Sequence, residues 1–207
     1  MTSINTALLS LMFLISLTGC ATMNKSECLN ADWQMIGMED GAQGHPVSQI
    51  GKHRKACAEH NIRPDLVAYE NGHAAGIKQF CTAANGFRMG KSGGYYGGVC
   101  PPELEGEFLA GYDAGKELHA ASVAVNQASA AVKSNTSELK QLKEDLQAKE
   151  AMLVSSKTSE LQRVRLLEEI RADEKKVEEL EEDALALERA KEEKQLEYNE
   201  VKRLNQY

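Results

Sequence analysis

The sequence predicts an all-α protein: a small, disulfide-pinned, glycine-rich helical head followed by a long antiparallel coiled-coil hairpin. Three observations carry this. No proline follows Pro102 and no glycine follows Gly115, so the C-terminal half holds no strong helix breaker. Within it, apolar residues return every seven positions at Leu118, Val125, Val132, Leu139, Leu146 and Leu153, the spacing of a helix–helix seam. Upstream, four cysteines and recurrent glycines crowd a stretch with only weak strand signals.

In chain order, the apolar run from Ala7 to Leu17 matches a signal-peptide core and is too short to span a bilayer. It leads into Leu17-Thr18-Gly19-Cys20, which resembles a bacterial lipobox. The resemblance implies that residues 1–19 are a lipoprotein signal peptide and that Cys20 becomes the diacylated, then N-acylated, first residue. Three acyl chains at ~0.8 kcal/mol per buried CH₂ would anchor the chain permanently in a membrane. Ala21 stands after Cys20 where Asp would favour the inner membrane. By the same resemblance, that implies the periplasmic face of the Gram-negative outer membrane. The n-region departs from the pattern, having no Lys or Arg before the apolar run. Residues 20–27 read as a short polar tether.

Charge is unevenly spread. The net charge is −7, yet up to Pro102 the chain has seven acidic and eight basic side chains, so the acidity belongs to the second half. An acidic half argues against nucleic acid, which needs clustered Lys and Arg, and against electrostatic docking on anionic lipid. Aromatics make up only 5% of the chain, which speaks against a large core.

Besides Cys20 there are Cys28, Cys57, Cys81 and Cys100, an even number that in an exported chain reads as two disulfides. Of the three connectivities, Cys28–Cys57 and Cys81–Cys100 is favoured because each closes a loop of moderate size. The alternative is zinc on His53, Cys57 and His60. No C-x₂-C or H-E-x-x-H spacing supports it, and the compartment oxidises thiols. No metal and no cofactor is expected.

The head is read over residues 28–116. Trp33 reads as its core anchor. A motif of aromatic, two residues, glycine, three residues, glycine runs through Tyr69-Gly72-Gly76, Phe87-Gly90-Gly94 and Phe108-Gly111-Gly115, with Trp33-Gly37-Gly41 a looser relative. Glycines four apart share one helix face and let two backbones approach. Each costs ~1 kcal/mol against alanine in a helix, so packing is the reason to expect. Helices are predicted near 31–38, 47–60 and 65–83. A glycine-rich turn is predicted at 40–46, and a loop from Gly90 to Pro102.

The order Asp32-Trp33, Gly37, Asp40-Gly41, Gly44, His53, Cys57, Pro64-Asp65, Tyr69, Gly72, Gly76, Phe80-Cys81, then Gly86, Gly90, Tyr96, Val99-Cys100-Pro101 and Phe108, Gly111-Tyr112, Gly115 is distinctive. It resembles the proteobacterial lipoprotein family catalogued as domain of unknown function 2799. The resemblance implies an exported lipoprotein head and carries over no catalytic residue. Asp40, His53 and Tyr96 are the first ligand-binding candidates, with His73 beside them. Asp40 and His53 could form an acid–base pair, but no nucleophile with a family spacing accompanies them. No catalytic residue is assigned, and an enzyme is not expected.

The tail begins at Pro101-Pro102-Glu103, a helix start. Long helix 1 is predicted over 103–154 and long helix 2 over 160–206. The break at Val154–Ser159 ends in a capping box, Ser159 with Gln162. The first seam has companions at Ala121, Ala128, Asn135, Leu142 and Lys149. The second uses Leu166, Ile170, Val177, Leu180, Ala184, Leu187, Tyr198 and Val201. A reversal near Ser156-Lys157 would set Leu180 against Val132 and Ala184 against Ala128. It would also return Tyr198, Val201 and Leu204 beside Gly115, Tyr112 and Phe108.

The function these features suggest is a structural or interaction protein: a membrane lipoprotein held through Cys20 that presents a coiled coil to a protein partner. The alternative is a head that binds a small ligand or cell-envelope component. A periplasmic hydrolase or metalloenzyme comes last.

Overall fold

The computed structural model describes residues 23–205 and is all-helical there. The signal peptide and Cys20 lie outside the described residues. Among the described residues, no helix is long and apolar enough to cross a membrane. The chain divides into two units: the described residues to Cys81 with Gly98–Leu104, and Thr82–Gly97 with Glu105 onward.

The first unit starts with α1 (Lys25–Leu29), which begins in the stretch read as tether and runs past its end at residue 27; Asn24 and Glu27 form a reciprocal capping box. Next come α2 (Trp33–Ala42), a 3₁₀ turn (Val47–Gln49), α3 (Ile50–Ala58) and α4 (Leu66–Phe80). Asp32 and Asp65 start α2 and α4, each accepting a backbone N–H three residues on at 3.0 Å. The core is the Cys28–Cys57 disulfide with Trp33 and Tyr69, and Ile36, Ile50, Ile62 and Ala68 pack around it. Burying a side chain of this size contributes ~1.5–3 kcal/mol.

Helix α2 runs four residues past its expected end, through Asp40, Gly41 and Ala42. The reason is the crossing with α4. A Cβ on Gly37 or Gly41 would lie 2.1 Å from the Tyr69 carbonyl oxygen or 2.5 Å from that of His73. Reciprocally, Gly72 and Gly76 face the Gln34 and Met38 carbonyls at 1.8 and 2.0 Å. Gly41 therefore belongs to the packed face and not to the turn. The helix then closes in a Schellman motif, with Gly44 at φ 76° and His45 N–H bonded to the Asp40 carbonyl.

The second unit repeats this crossing. Thr82 caps α5 (Ala83–Lys91), which packs on the start of α6 (Pro102–Leu153). Gly86 and Gly90 face the carbonyls of Phe108 and Tyr112, both at 2.1 Å from a built Cβ. Gly111 and Gly115 face those of Ala83 and Phe87 at 2.0 and 2.3 Å. The same Schellman turn follows, with Gly93 at φ 72° and Gly94 N–H bonded to the Met89 carbonyl. The ring of His73 meets the His45 carbonyl at 2.7 Å, and in the second copy the Tyr112 hydroxyl donates to the Gly94 carbonyl at 2.9 Å. The head is thus two copies of one helix–turn–helix crossing. This corrects the motif read from sequence: the helical pair is Gly86 and Gly90, while Gly94 lies in the turn. Helix α5 was not among the helices predicted; two glycines and Asn85 in nine residues give it low helix propensity.

Helix α7 (Glu160–Leu204) opens on the Ser159–Gln162 capping box and returns along α6 as the second arm of the hairpin. Every seam position named from sequence on α6, from Leu118 to Leu153, is buried or half-buried. On α7 the covered positions are Arg163, Leu166, Ile170, Asp173, Val177, Leu180, Ala184, Leu187, Lys191, Lys194, Tyr198 and Val201, alternating three and four apart without a skip. Leu204 is exposed.

The register differs from the expected one by three residues. Asn135 donates to the Leu180 carbonyl at 3.1 Å, where sequence had placed Val132. Arg163 goes with the offset: its guanidinium bonds the carbonyls of Leu153, the last residue of α6, and of Ser155, in the turn. The reversal therefore centres after Lys157. Lys149 bridges to Asp173 at 2.7 Å and Glu169 at 3.3 Å, and Lys176 to Glu138 at 3.6 Å.

Candidate functional site

The polar residues of the first unit converge on one carboxylate. Asp40 is buried on α2, facing α4 and the connector between them. Its Oδ2 accepts from the Tyr69 hydroxyl at 2.6 Å and lies 2.9 Å from His53 Nε2, while Oδ1 lies 3.2 Å from His45 Nδ1. Burial opposes the charge on Asp40, but the hydrogen bonds from Tyr69, His53 and His45 outweigh it and hold its pKa below the usual carboxylate range. Burial, with the carboxylate beside it, pushes the Tyr69 hydroxyl well above its ordinary value. The rings of Trp33, His53, Tyr69 and His73 follow one another at centroid distances of 6.1 to 6.3 Å.

The second crossing shows that the fold itself does not require this cluster. Its equivalents are Met89 for Asp40, Phe108 for Tyr69 and Gly94 for His45, and its short connector carries no helix like α3. The buried carboxylate therefore goes with α3. It ties the inner face of α3 through His53, and the disulfide ties it again through Cys57.

With the inner face fixed, the outer face of α3 is presented. Ile50, Gly51, Arg54, Lys55 and Ala58 form one wall of a groove of about 880 Å³, and Asn61, Ile62, Arg63, Pro64 and Leu66 form the other. Asn61 holds the corner at φ 58°, closing α3 with its own Schellman bonds. None of Arg54, Lys55 and Arg63 makes an ion pair with a described residue, and Glu59 is the one acid between Ile50 and Arg63.

Of the residues singled out from sequence, the fold brings Asp40 and His53 into contact and places His73 in the same ring row. Tyr96 belongs to the second unit, where its hydroxyl donates to Glu105 at 3.0 Å and its ring lies 4.6 Å from Phe108. The disulfides are Cys28–Cys57 and Cys81–Cys100, as favoured. With Cys57 bonded to Cys28, it is not a zinc thiolate, and among the described residues no three His, Cys, Asp or Glu converge as metal ligands. Sequence reasoning missed Tyr69 and His45 as partners of Asp40, and the groove cations. The available signal was the spacing of Ile50, Arg54 and Ala58 on one face of a helix with only one acid.

Eight helix-crossing glycines, an Asp at the first cap and a Cys-bearing connector stand in the segment that matches the family described as a protein of unknown function, DUF2799, over residues 32–117. The match to DUF2799 covers the head alone. The matched DUF2799 segment spans both helix crossings and ends where the hairpin proper begins. No curated protein and no solved structure matches the chain.

Proposed function

We propose that the protein is an outer-membrane lipoprotein, anchored through Cys20 on the periplasmic face, whose coiled-coil hairpin docks a protein partner. Support for the anchor is the lipobox-like run Leu17–Cys20 behind an apolar core of signal-peptide length. The observation that carries the docking role is at the tip of the hairpin. Along the arms the apolar seam is covered by the facing helix, and the exposed apolar residues Leu185 and Leu196 stand singly among charged ones, whereas the tip gathers several together. At the turn, Met152, Val154, Leu161 and Val164 are all more than half exposed. Beside them is a cleft of about 500 Å³ lined by Met152, Thr158, Gln162 and Leu166. A rigid arm ending in an apolar tip is suited to reach and hold a partner at a distance from its own anchor.

Two measurements test this. Cys20→Ser should end palmitate labelling and release the protein from membranes; unchanged membrane retention refutes the anchor. A photo-crosslinker at Leu161 or Val164 should yield one dominant protein adduct in intact cells, absent when placed at Lys175 on the arm. The same adducts from both places, or none at the tip, refutes tip docking.

A further inference from the structure

We infer that the α3 groove binds an anionic lipid monomer, its phosphate on Arg54, Lys55 and Arg63 and its alkyl chain along Ile50, Ile62 and Leu66. The inference is independent of the hairpin. Three features of the groove carry it.

First, its charge is concentrated and unspent. Arg54, Lys55 and Arg63 line the groove without ion-pair partners among the described residues, in a chain whose net charge is −7. Guanidinium and ammonium donors around a concavity fit a phosphate, which accepts bidentate bonds from Arg and a point charge from Lys.

Second, the floor is apolar. Ile50 and Ile62 are half-buried against the Cys28–Trp33–Tyr69 core, and Leu66, half exposed, continues their surface outward. A plain anion site needs no such floor. The volume of about 880 Å³ exceeds what an inorganic ion fills and lies within the range of pockets for ligands with an apolar body.

Third, the walls are preformed. The disulfide and the His53–Asp40 contact fix α3, and the Asn61 turn fixes the opposite wall. The equivalent connector in the second crossing is a short loop without a helix, so the added segment is what makes the groove. Preformed walls lower the ordering cost of binding.

The test uses the full chain in neutral maltoside micelles and a dodecyl phosphate probe bearing a diazirine in its chain. Labelling is mapped by mass spectrometry. The expected result is labelling of residues 50–66, about tenfold above that by a maltoside probe with the same tail. In Arg54→Gln/Lys55→Gln/Arg63→Gln it falls to the maltoside level. Lys25→Gln/Lys78→Gln, which removes two cations elsewhere in the unit, leaves it unchanged. All three cations of the triple variant are exposed, and an unaltered far-UV circular dichroism spectrum confirms its fold. Equal labelling by the neutral probe, or labelling insensitive to the triple variant, overturns the proposal. So does competition by inorganic phosphate or polyglutamate as effective as that by unlabelled dodecyl phosphate, which would make the groove a general anion or acidic-peptide site.

Discussion

Gly72 and the Gln34 carbonyl oxygen are so close that a Cβ on Gly72 would lie 1.8 Å from that oxygen. The α-hydrogen pointing the same way makes the Cα–H···O approach found where helices pack at backbone distance, ~0.5–1 kcal/mol each. Gly72→Ala must push α2 and α4 apart, and both partners are backbone, so the strain has no cheap release. It should destabilise the fold by about 3 kcal/mol, well beyond the ~1 kcal/mol that alanine gains in a helix. Gly106→Ala, in α6 with nothing within 4 Å of its Cβ, should stabilise by up to ~1 kcal/mol. Urea melts of the two variants check the pair. Equal effects would remove the packing reason for these glycines.

The Asp40 carboxylate makes a pH-dependent contribution. Its folded pKa is depressed, so the stability it adds is complete above the value of the unfolded chain, about 4, and is lost as pH falls through the lower folded value. Asp40→Asn should therefore cost about 2 kcal/mol at pH 7, the scale of a hydrogen-bonded charge. The gap to the parent should close on acidification below about pH 4. A gap that stays constant from neutral pH to pH 3 would mean the charge is not what the cluster uses.

The Cys28–Cys57 bond joins residues 29 apart and holds α3 on the core. Replacing both cysteines by serine should cost about 3.5 kcal/mol by chain entropy. Amide hydrogen exchange should rise first in α3 and only later in the α2–α4 crossing, which the glycines hold independently. Uniform loss of protection across the unit would show instead that the disulfide supports the crossing too.

The hairpin was legible because its signal is local and repeated. Seam residues from Leu118 to Leu153 announce one helix face seven residues at a time, and the Ser159–Gln162 box marks where the second arm begins. The disulfides were legible from loop size. What sequence hid was everything set by backbone approach. Gly41 looks like turn material until the His73 carbonyl is seen against it, and Gly86 and Gly90 give α5 too little helix propensity to be predicted. Asp40 and Tyr69 are 29 residues apart, and His45 sits across a turn whose geometry the sequence does not give, so nothing in the spacing of a lone carboxylate names its partners. Arg163 lies before the seam read from sequence, and its bonds to the Leu153 and Ser155 carbonyls at the reversal go with the shifted register.

The last prediction concerns that register. Asn135 is the buried polar residue of the α6 seam; its Nδ2 donates to the Leu180 carbonyl, while its Oδ1 has no hydrogen-bond partner. An unsatisfied buried oxygen costs ~1–3 kcal/mol. A polar residue at one seam position is the usual device by which a coiled coil trades stability for a single pairing. Asn135→Leu should therefore raise the melting temperature of the hairpin by several degrees, and the added intermolecular pairing should appear as a dimer fraction in sedimentation. The register itself is read by cysteine pairs in a Cys20→Ser background, at high dilution. With Asn135 opposite Leu180, the next layer sets Val132 near Ala184, so Val132→Cys/Ala184→Cys should oxidise within the chain faster than Ala128→Cys/Ala184→Cys. Faster closure of the Ala128 pair would restore the register read from sequence. A less stable Asn135→Leu would mean that the bond to Leu180 outweighs the unsatisfied oxygen.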